Sequence, residues 1–316
     1  MTDTDAQDHA LLELARTLRQ QGYRFITPTP MTHSRVNSRP QNRRAEDAVG
    51  VFGWSRPFAA DLLPAQTMAL MATAGILEPK NNDHWQSALR LSSLAGELFW
   101  HSAFPTDAPD AVFFGPDTYR YANALRDWLA RHGAGVQRAV DIGSGSGAGA
   151  VLIARECPEA EVLAVDINPA ALRLTRLNAE LAGVRLEARH SDLLDQAPGE
   201  FDLIIANPPY LIDPSERAYR HGGGPLGAGL SLRIVEAALP RLSPGGTLLL
   251  YTGVAMQNNR DPFLTEITQR LEGRGLAWQY RELDPDVFGE ELLDGAYTEC
   301  DRIAAVVLEV TRPAVR

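Results

Sequence analysis

The chain has 316 residues, 45% hydrophobic and 22% charged, which is the composition of a globular protein long enough for two domains. Its net charge of −10 excludes a surface that wraps a long nucleic-acid backbone, though not a local basic patch. No run of about 18 apolar residues exists to span a bilayer, and Cys157 and Cys300 match no metal-ligand or redox spacing, so buried free thiols are expected rather than a disulfide scaffold.

The first residues, Met1 to Asp8, are acidic and polar where a secretory leader would be basic and then apolar, so a cytoplasmic location is expected. From His9 to Gln21 the leucines recur at helical spacing, and Gly22 follows as a stop. Residues 27–56 are rich in Pro, Ser, Asn and Arg without periodicity and read as a long loop. A helix is expected over Ala65–Ala74, and Ser87–Trp100 reads as strand or hairpin. Together, residues 1–110 are expected to form a smaller N-terminal α+β domain that selects substrate or acts as an accessory.

From Val112 onward apolar strands alternate with helices, the signature of a parallel sheet with crossover helices. Strands are expected at 139–142, 161–166, 186–189, 201–206 and 246–251. Helices fit after Gly147, over Pro169–Ala182 and over Leu230–Leu239, and 277–283 with 302–310 read as a closing β pair.

The first of these strands runs into Asp141-Ile142-Gly143-Ser144-Gly145-Ser146-Gly147-Ala148-Gly149-Ala150, a turn whose glycines let backbone approach a ligand, followed by a helix N-terminus. Gly145, Gly147 and Ala150 also satisfy a loose G-x-G-x-x-A, so a nicotinamide cofactor stays open at this point. Asp166 ends the second strand, where a carboxylate accepts from ribose hydroxyls in either kind of enzyme. Asp192 follows the third strand, placed to accept from an adenine amino group or simply to be solvated. Asn207-Pro208-Pro209-Tyr210 ends the fourth. Two prolines fix φ and remove two N–H donors, which leaves a rigid turn of acceptors. The Asn207 amide oxygen and the Pro208 carbonyl can each accept one hydrogen of a planar NH2 group and align its nitrogen with a methyl sulfonium, while Tyr210 stacks on the flat substrate.

This combination resembles the class I S-adenosylmethionine-dependent methyltransferases that methylate amino groups. Phe114-Gly115-Pro116-Asp117-Thr118-Tyr119, together with Gly222-Gly223-Gly224, Gly227, Gly229-Leu230 and Arg233-Ile234, is similar to the release-factor glutamine N5-methyltransferases over roughly residues 112–310. The chain departs from that group at Gly115-Pro116-Asp117, where the group carries Arg-Pro before Asp or Glu. The resemblance implies a Rossmann-like seven-stranded α/β catalytic domain over 111–316 and S-adenosylmethionine as cofactor. It implies that Asp141, Gly143, Gly145 and Gly147 cradle the methionine part, that Asp166 holds the ribose and that Asp192 reads adenine. Asn207, Pro208 and Tyr210 would then be catalytic and hold the acceptor together with Pro209, Asn207 also binding the cofactor; His221 is expected near the acceptor because it borders the glycine-rich loop after this turn. No metal and no membrane partner are expected. The expected reaction is methyl transfer to a nitrogen of a planar amide or amine, possibly a protein glutamine; the alternatives are an RNA or DNA base, and a small molecule of secondary metabolism, the last including rearrangement of the cofactor itself.

Five tryptophans, Trp54, Trp85, Trp100, Trp128 and Trp278, are expected to pack rather than to stack bases. Arg35, Arg39, Arg43 and Arg44 are expected to form a solvated loop, with RNA phosphates or an acidic protein as the alternative. The acidic run Asp284, Asp286, Glu290, Glu291 and Asp294 suits either a cationic substrate or a solvated lid.

Overall fold

A computed structural model describes residues 3–80, 83–217, 219–293 and 295–314; Met1 and Thr2 of the acidic start and Asp294 of the acidic run lie outside them. Helix α1 (Asp3–Gln20) buries Leu11, Leu14, Ala15 and Leu18 on one face, and the chain reverses at Gly22 with φ at 79°. The expected loop over 27–56 instead contains helices α2 (Pro30–Asn37) and α3 (Ala48–Phe52) and a 3-10 turn at Pro40–Asn42. Their signals are caps, not periodicity. The Thr29 side chain accepts from Thr32 N–H ahead of Pro30 at the first helical position, and Asp47 accepts from Gly50 N–H at 2.6 Å. Helices this short bury too few side chains to show a pattern; α2 buries His33 alone.

Strand β1 (Phe58–Ala59), helix α4 (Ala65–Thr73) and strands β2 (Leu77–Lys80) and β3 (His84–Ser87) follow, the strands pairing in the order β1-β3-β2. Strands β4 (Leu89–Leu94) and β5 (Glu97–Ser102) form the expected hairpin, turned by Ala95 and Gly96, both at positive φ.

The larger part starts with helix α5 (Pro116–His132) and continues β6 (Arg138–Ile142), α6 (Ala148–Glu156), β7 (Glu161–Asp166), α7 (Pro169–Ala182), β8 (Glu187–His190) and β9 (Phe201–Ala206). It ends with α8 (Gly229–Ala238), β10 (Leu242–Met256), α9 (Pro262–Leu271), β11 (Ala277–Asp284) and β12 (Arg302–Thr311). Seven strands form one sheet in the order β11-β12-β10-β9-β6-β7-β8. From β8 to β10 neighbours are parallel, and β12 inserts antiparallel between β10 and β11. Helices α5 and α9 were not expected, although each buries residues at helical spacing: Tyr121, Leu125 and Trp128 in one, Phe263, Ile267 and Leu271 in the other.

Successive strand residues feed opposite faces of the sheet. Leu203, Ile205, Leu249 and Tyr251 join α5 and α6 in one core, whereas Ile204, Ala206, Leu248 and Leu250 join α8 and α9 in the other. The strand order reverses between β6 and β9, which opens a crevice at the carboxyl ends of those strands.

A third core fills the N-terminal portion, and Ala171, Leu174, Leu177 and Leu181 of α7 belong to it. Asn178 on the same helix is fully buried. Its Oδ1 accepts from Trp100 N–H at 2.8 Å, and its Nδ2 donates to the carbonyls of Trp100 at 3.0 Å and Ser146 at 2.8 Å. One side chain thereby ties hairpin strand β5 to the glycine turn after β6. Asn178→Ala leaves those three backbone groups without that partner, and urea unfolding should show a loss of roughly 2–4 kcal/mol.

Candidate active site

The glycine turn between β6 and α6 holds Gly143, Gly145 and Gly147 at φ of 68°, 55° and 78°. A β-carbon at Gly143 or Gly145 would meet nothing within 4 Å, so these two backbones face open space in the crevice. Gly147 serves a different purpose from the one expected. It does not line the cavity, and a β-carbon there would lie 3.0 Å from the Thr175 Cα, so it lets α6 pack on α7. Gly149, next in the same glycine-rich run, allows the equivalent close approach of Tyr121 and Asp141 to α6.

Asp141 is 2% exposed, and its Oδ2 accepts from Ala150 N–H at 2.9 Å while Oδ1 faces the Tyr121 hydroxyl at 3.3 Å. The carboxylate thus braces the glycine turn from beneath while one edge reaches the cavity. Burial pushes its pKa up to about 7 against those two donors. Asp166 at the tip of β7 accepts from Gly145 N–H and Asn168 N–H, each at 2.9 Å, and burial raises its pKa as well. Asp192 is exposed, with Arg233 Nη2 3.3 Å and 3.4 Å from its two oxygens. All three carboxylates border the cavity above the glycine turn.

Asn207, Pro208 and Pro209 line that cavity and also a second one. The second is bounded by Tyr210, Asp117, Phe113, Phe288 and Pro30, so the double-proline turn is a wall common to both. Tyr210 is 5% exposed and donates its hydroxyl to Asp117 Oδ2 at 2.6 Å. Tyr251 donates to Asp117 Oδ1 at 2.7 Å, and Arg120 Nη1 reaches the same oxygen at 3.2 Å. Burial raises the Asp117 pKa, and these donors oppose the rise. The Tyr210 ring lies over Gly253 so closely that a β-carbon there would collide with it, and Phe288 meets the ring edge-on at 5.9 Å.

The glycine run after the turn has the same explanation. β-Carbons at Gly222 and Gly227 would collide with the backbone of Pro209 and Tyr210, so only glycines let this loop back the turn. His221, expected at the acceptor, lines neither cavity. Its Nδ1 accepts from Asp213 N–H at 3.2 Å behind the loop, and its neighbours Tyr219 and Arg220 reach the second cavity instead. Tyr219 and Phe113 stand with parallel rings, centroids 6.1 Å apart, and both border the two cavities. Sequence reasoning missed Phe113, Tyr219 and Phe288 and met Asp117 only within the family-like string, because aromatics and acids in loops and first helical turns carry no local signal of what they face.

The tryptophans Trp100 and Trp128 are buried as expected. His33 and His101 are buried in the N-terminal portion, and burial lowers the pKa of both, that of His33 to about 3. Cys157 is buried and Cys300 half-buried, both as free thiols. No helix among the described residues is long and apolar enough to cross a membrane.

Residues 122–266 match the methyltransferase small domain family. The release factor glutamine methyltransferase of Deinococcus radiodurans is 34% identical over 212 residues, 64% of this chain and 72% of that protein. That of Bordetella pertussis is 34% identical over 202 residues, 56% of this chain and 72% of that protein. A ribosomal protein uL3 glutamine methyltransferase from Neisseria gonorrhoeae is 34% identical over 51% of this chain and 56% of that protein. Among solved structures, a methyltransferase from Pyrococcus furiosus superposes with a TM-score of 0.43 at 20% identity, over 61% of this chain and 83% of that one. The sheet order, the glycine turn and the asparagine-proline wall are those of a class I S-adenosylmethionine-dependent methyltransferase that acts on nitrogen. Within that class, the chain belongs to the release factor glutamine methyltransferase family.

Two outcomes follow from the buried groups. The Asp141 pKa stands at about 7 in the fold against an ordinary 3.8, so folding takes up a proton in between, and stability falls as pH rises through that window. Asp141→Asn, neutral throughout, should flatten that part of a stability-against-pH curve measured by urea unfolding. Gly253→Ala should displace the Tyr210 ring and lower kcat by roughly 100-fold, while calorimetry finds cofactor affinity almost unchanged.

Proposed function

We propose that this enzyme methylates the side-chain amide nitrogen of a glutamine in a protein. The observation that carries the reading is the Asn207–Pro209 turn acting as a common wall between a glycine-floored cavity and an aromatic one. The names of the relatives from Deinococcus, Bordetella and Neisseria, each a protein glutamine methyltransferase, support the choice of acceptor.

The first cavity suits S-adenosylmethionine, because the open space above Gly143 and Gly145 is where side chains would otherwise project. Those two backbones would hold the methionine part, with Asp166 on the ribose and Asp192 near the adenine. When bound, the cofactor supplies an electrophilic methyl group on a sulfonium. Asp141 acts indirectly, keeping the turn in shape through Ala150, and Gly147 does so through α7.

In the second cavity the acceptor amide presents two N–H donors. The Asn207 side-chain oxygen and the Pro208 carbonyl take one each, which fixes the plane of the amide and turns its nitrogen toward the first cavity. Pro209 keeps the turn rigid. The Tyr210 ring, locked through its hydroxyl to Asp117, forms a flat wall for the amide but has no hydroxyl free to bond it. Phe113 and Tyr219, with parallel rings bordering both cavities, would flank the amide as it approaches the cofactor. Methylation makes the nitrogen strongly acidic, so its surplus proton leaves to solvent and no dedicated side-chain base is required. The N-terminal portion contributes Pro30 and Thr106 to the acceptor cavity, which supports a role for residues 1–110 in choosing the substrate.

Incubating extract from cells lacking this protein with the enzyme and methyl-labelled cofactor should label a protein that yields N5-methylglutamine on digestion. Label confined to RNA or to small molecules would overturn the glutamine reading. Asn207→Ala should lower kcat/KM by roughly 100-fold with cofactor binding retained in calorimetry. Asp166→Ala should instead weaken cofactor binding by roughly tenfold or more, since it removes both a ligand group and the brace on Gly145.

A further inference from the structure

Ion pairing is unevenly spread over this acidic molecule. Arginines on most faces have carboxylate partners, as Arg16, Arg138, Arg173, Arg270 and Arg302 do. Arg35, Arg39, Arg43 and Arg44 are exposed, and none has such a partner among the described residues. The sequence contains no Asp or Glu from residue 14 to residue 45; Glu46 and Asp47 follow, and Asp47 is committed to capping α3.

These arginines lie within ten residues of one another along the chain, on the end of α2 and the 3-10 turn that follows it. Asn42 Nδ2 donates to the Val36 carbonyl at 2.8 Å and folds the 3-10 turn back onto the end of α2, and Arg56 Nε donates to Asn37 Oδ1 at 2.9 Å beside it. The side chains interleaved with the arginines are exposed hydroxyls and an amide: Ser34, Ser38 and Gln41. Between Ser34 and Arg44 there is no aromatic residue and no exposed Leu, Ile, Met or Val, and the one exposed apolar side chain on α2 is Met31, 37% exposed, a turn before Arg35. Protein interfaces are centred on desolvated apolar or aromatic anchors. Phosphate contacts use the set present here: guanidinium, hydroxyl and amide donors. The face is also close to the chemistry, because Pro30 at the other end of the same eight-residue helix lines the acceptor cavity.

We propose that this face binds the phosphate backbone of RNA, so that the enzyme meets its acceptor as part of a ribonucleoprotein. The choice of RNA rests on the protein-glutamine reading above and on a relative that methylates a ribosomal protein. The net charge of −10 confines such binding to this patch and makes it weak and steeply salt-dependent.

The test needs neither cofactor nor acceptor, so its failure would leave the methyl-transfer reading standing. Fluorescence anisotropy of a labelled RNA hairpin is followed with the whole protein over a series of NaCl concentrations. The expected result is saturable binding whose log affinity falls with log salt at a slope of about −3, the release expected for four phosphates. The R35Q/R39Q/R43Q/R44Q variant should lose most of that slope and about tenfold or more in affinity at low salt. Its thermal unfolding and its calorimetric titration with S-adenosylmethionine should match the parent. Absence of hairpin binding at low salt, an unchanged slope in the variant, or equal binding of polyglutamate would each overturn the proposal; the last would assign the face to an acidic protein.

Discussion

A turn built on two consecutive prolines cannot brace itself, because it has given up the N–H groups that other turns use to close. Everything that keeps the 207–210 segment in place therefore comes from elsewhere in the chain. Asp117 fixes the Tyr210 hydroxyl from the first turn of α5, the backbone of Gly253 in β10 supports its ring, and Gly222 and Gly227 back the peptide planes. Three elements distant in sequence meet on four residues, and the strand order makes the meeting possible by placing β9 between β6 and β10. The result is a turn held in place by its surroundings before any ligand arrives, the preorganisation that the proposed alignment of an amide nitrogen would require.

The buried carboxylates follow the same logic. Asp117 and Asp141 sit where an isolated charge would be costly, and each is surrounded by donors from the protein itself. Neither is free to act as a general base. Their work is architectural, one holding the acceptor wall and the other the glycine turn, which leaves the exposed Asp192 and the partly buried Asp166 with capacity for a ligand. A reaction driven by alignment fits this distribution, since Asp117 and Asp141 in the cavity walls are both held by donors of the protein itself.

Much of this was legible in the sequence because the signals were local and periodic. Most strands of the parallel sheet are short apolar runs, the glycine turn and the double proline occupy strand ends, and in the closing pair β12 is a continuous apolar run while the edge strand β11 alternates Trp278 and Tyr280 with polar residues. The N-terminal helices α2 and α3 were not, since eight and five residues held by a Thr29 and an Asp47 cap bury almost nothing that repeats. That Gly147 and His221 line neither cavity was illegible for a related reason. Adjacency to a motif in the chain says little about direction, and both lie behind the loops whose front faces the cavities. Asp117 was visible only as part of a family-like string, and its partnership with Tyr210, 93 residues away, is a property of the folded sheet.

Helix α7 packs on the sheet with one side and supplies four residues to the N-terminal core with the other. A protease or a deletion that took away the first hundred residues would strip an apolar flank from a helix whose opposite flank supports the cofactor crevice. The two portions are therefore bound to a common fate in evolution as in unfolding: recombination could exchange the front piece only for another that lays a matching greasy surface on the same helix.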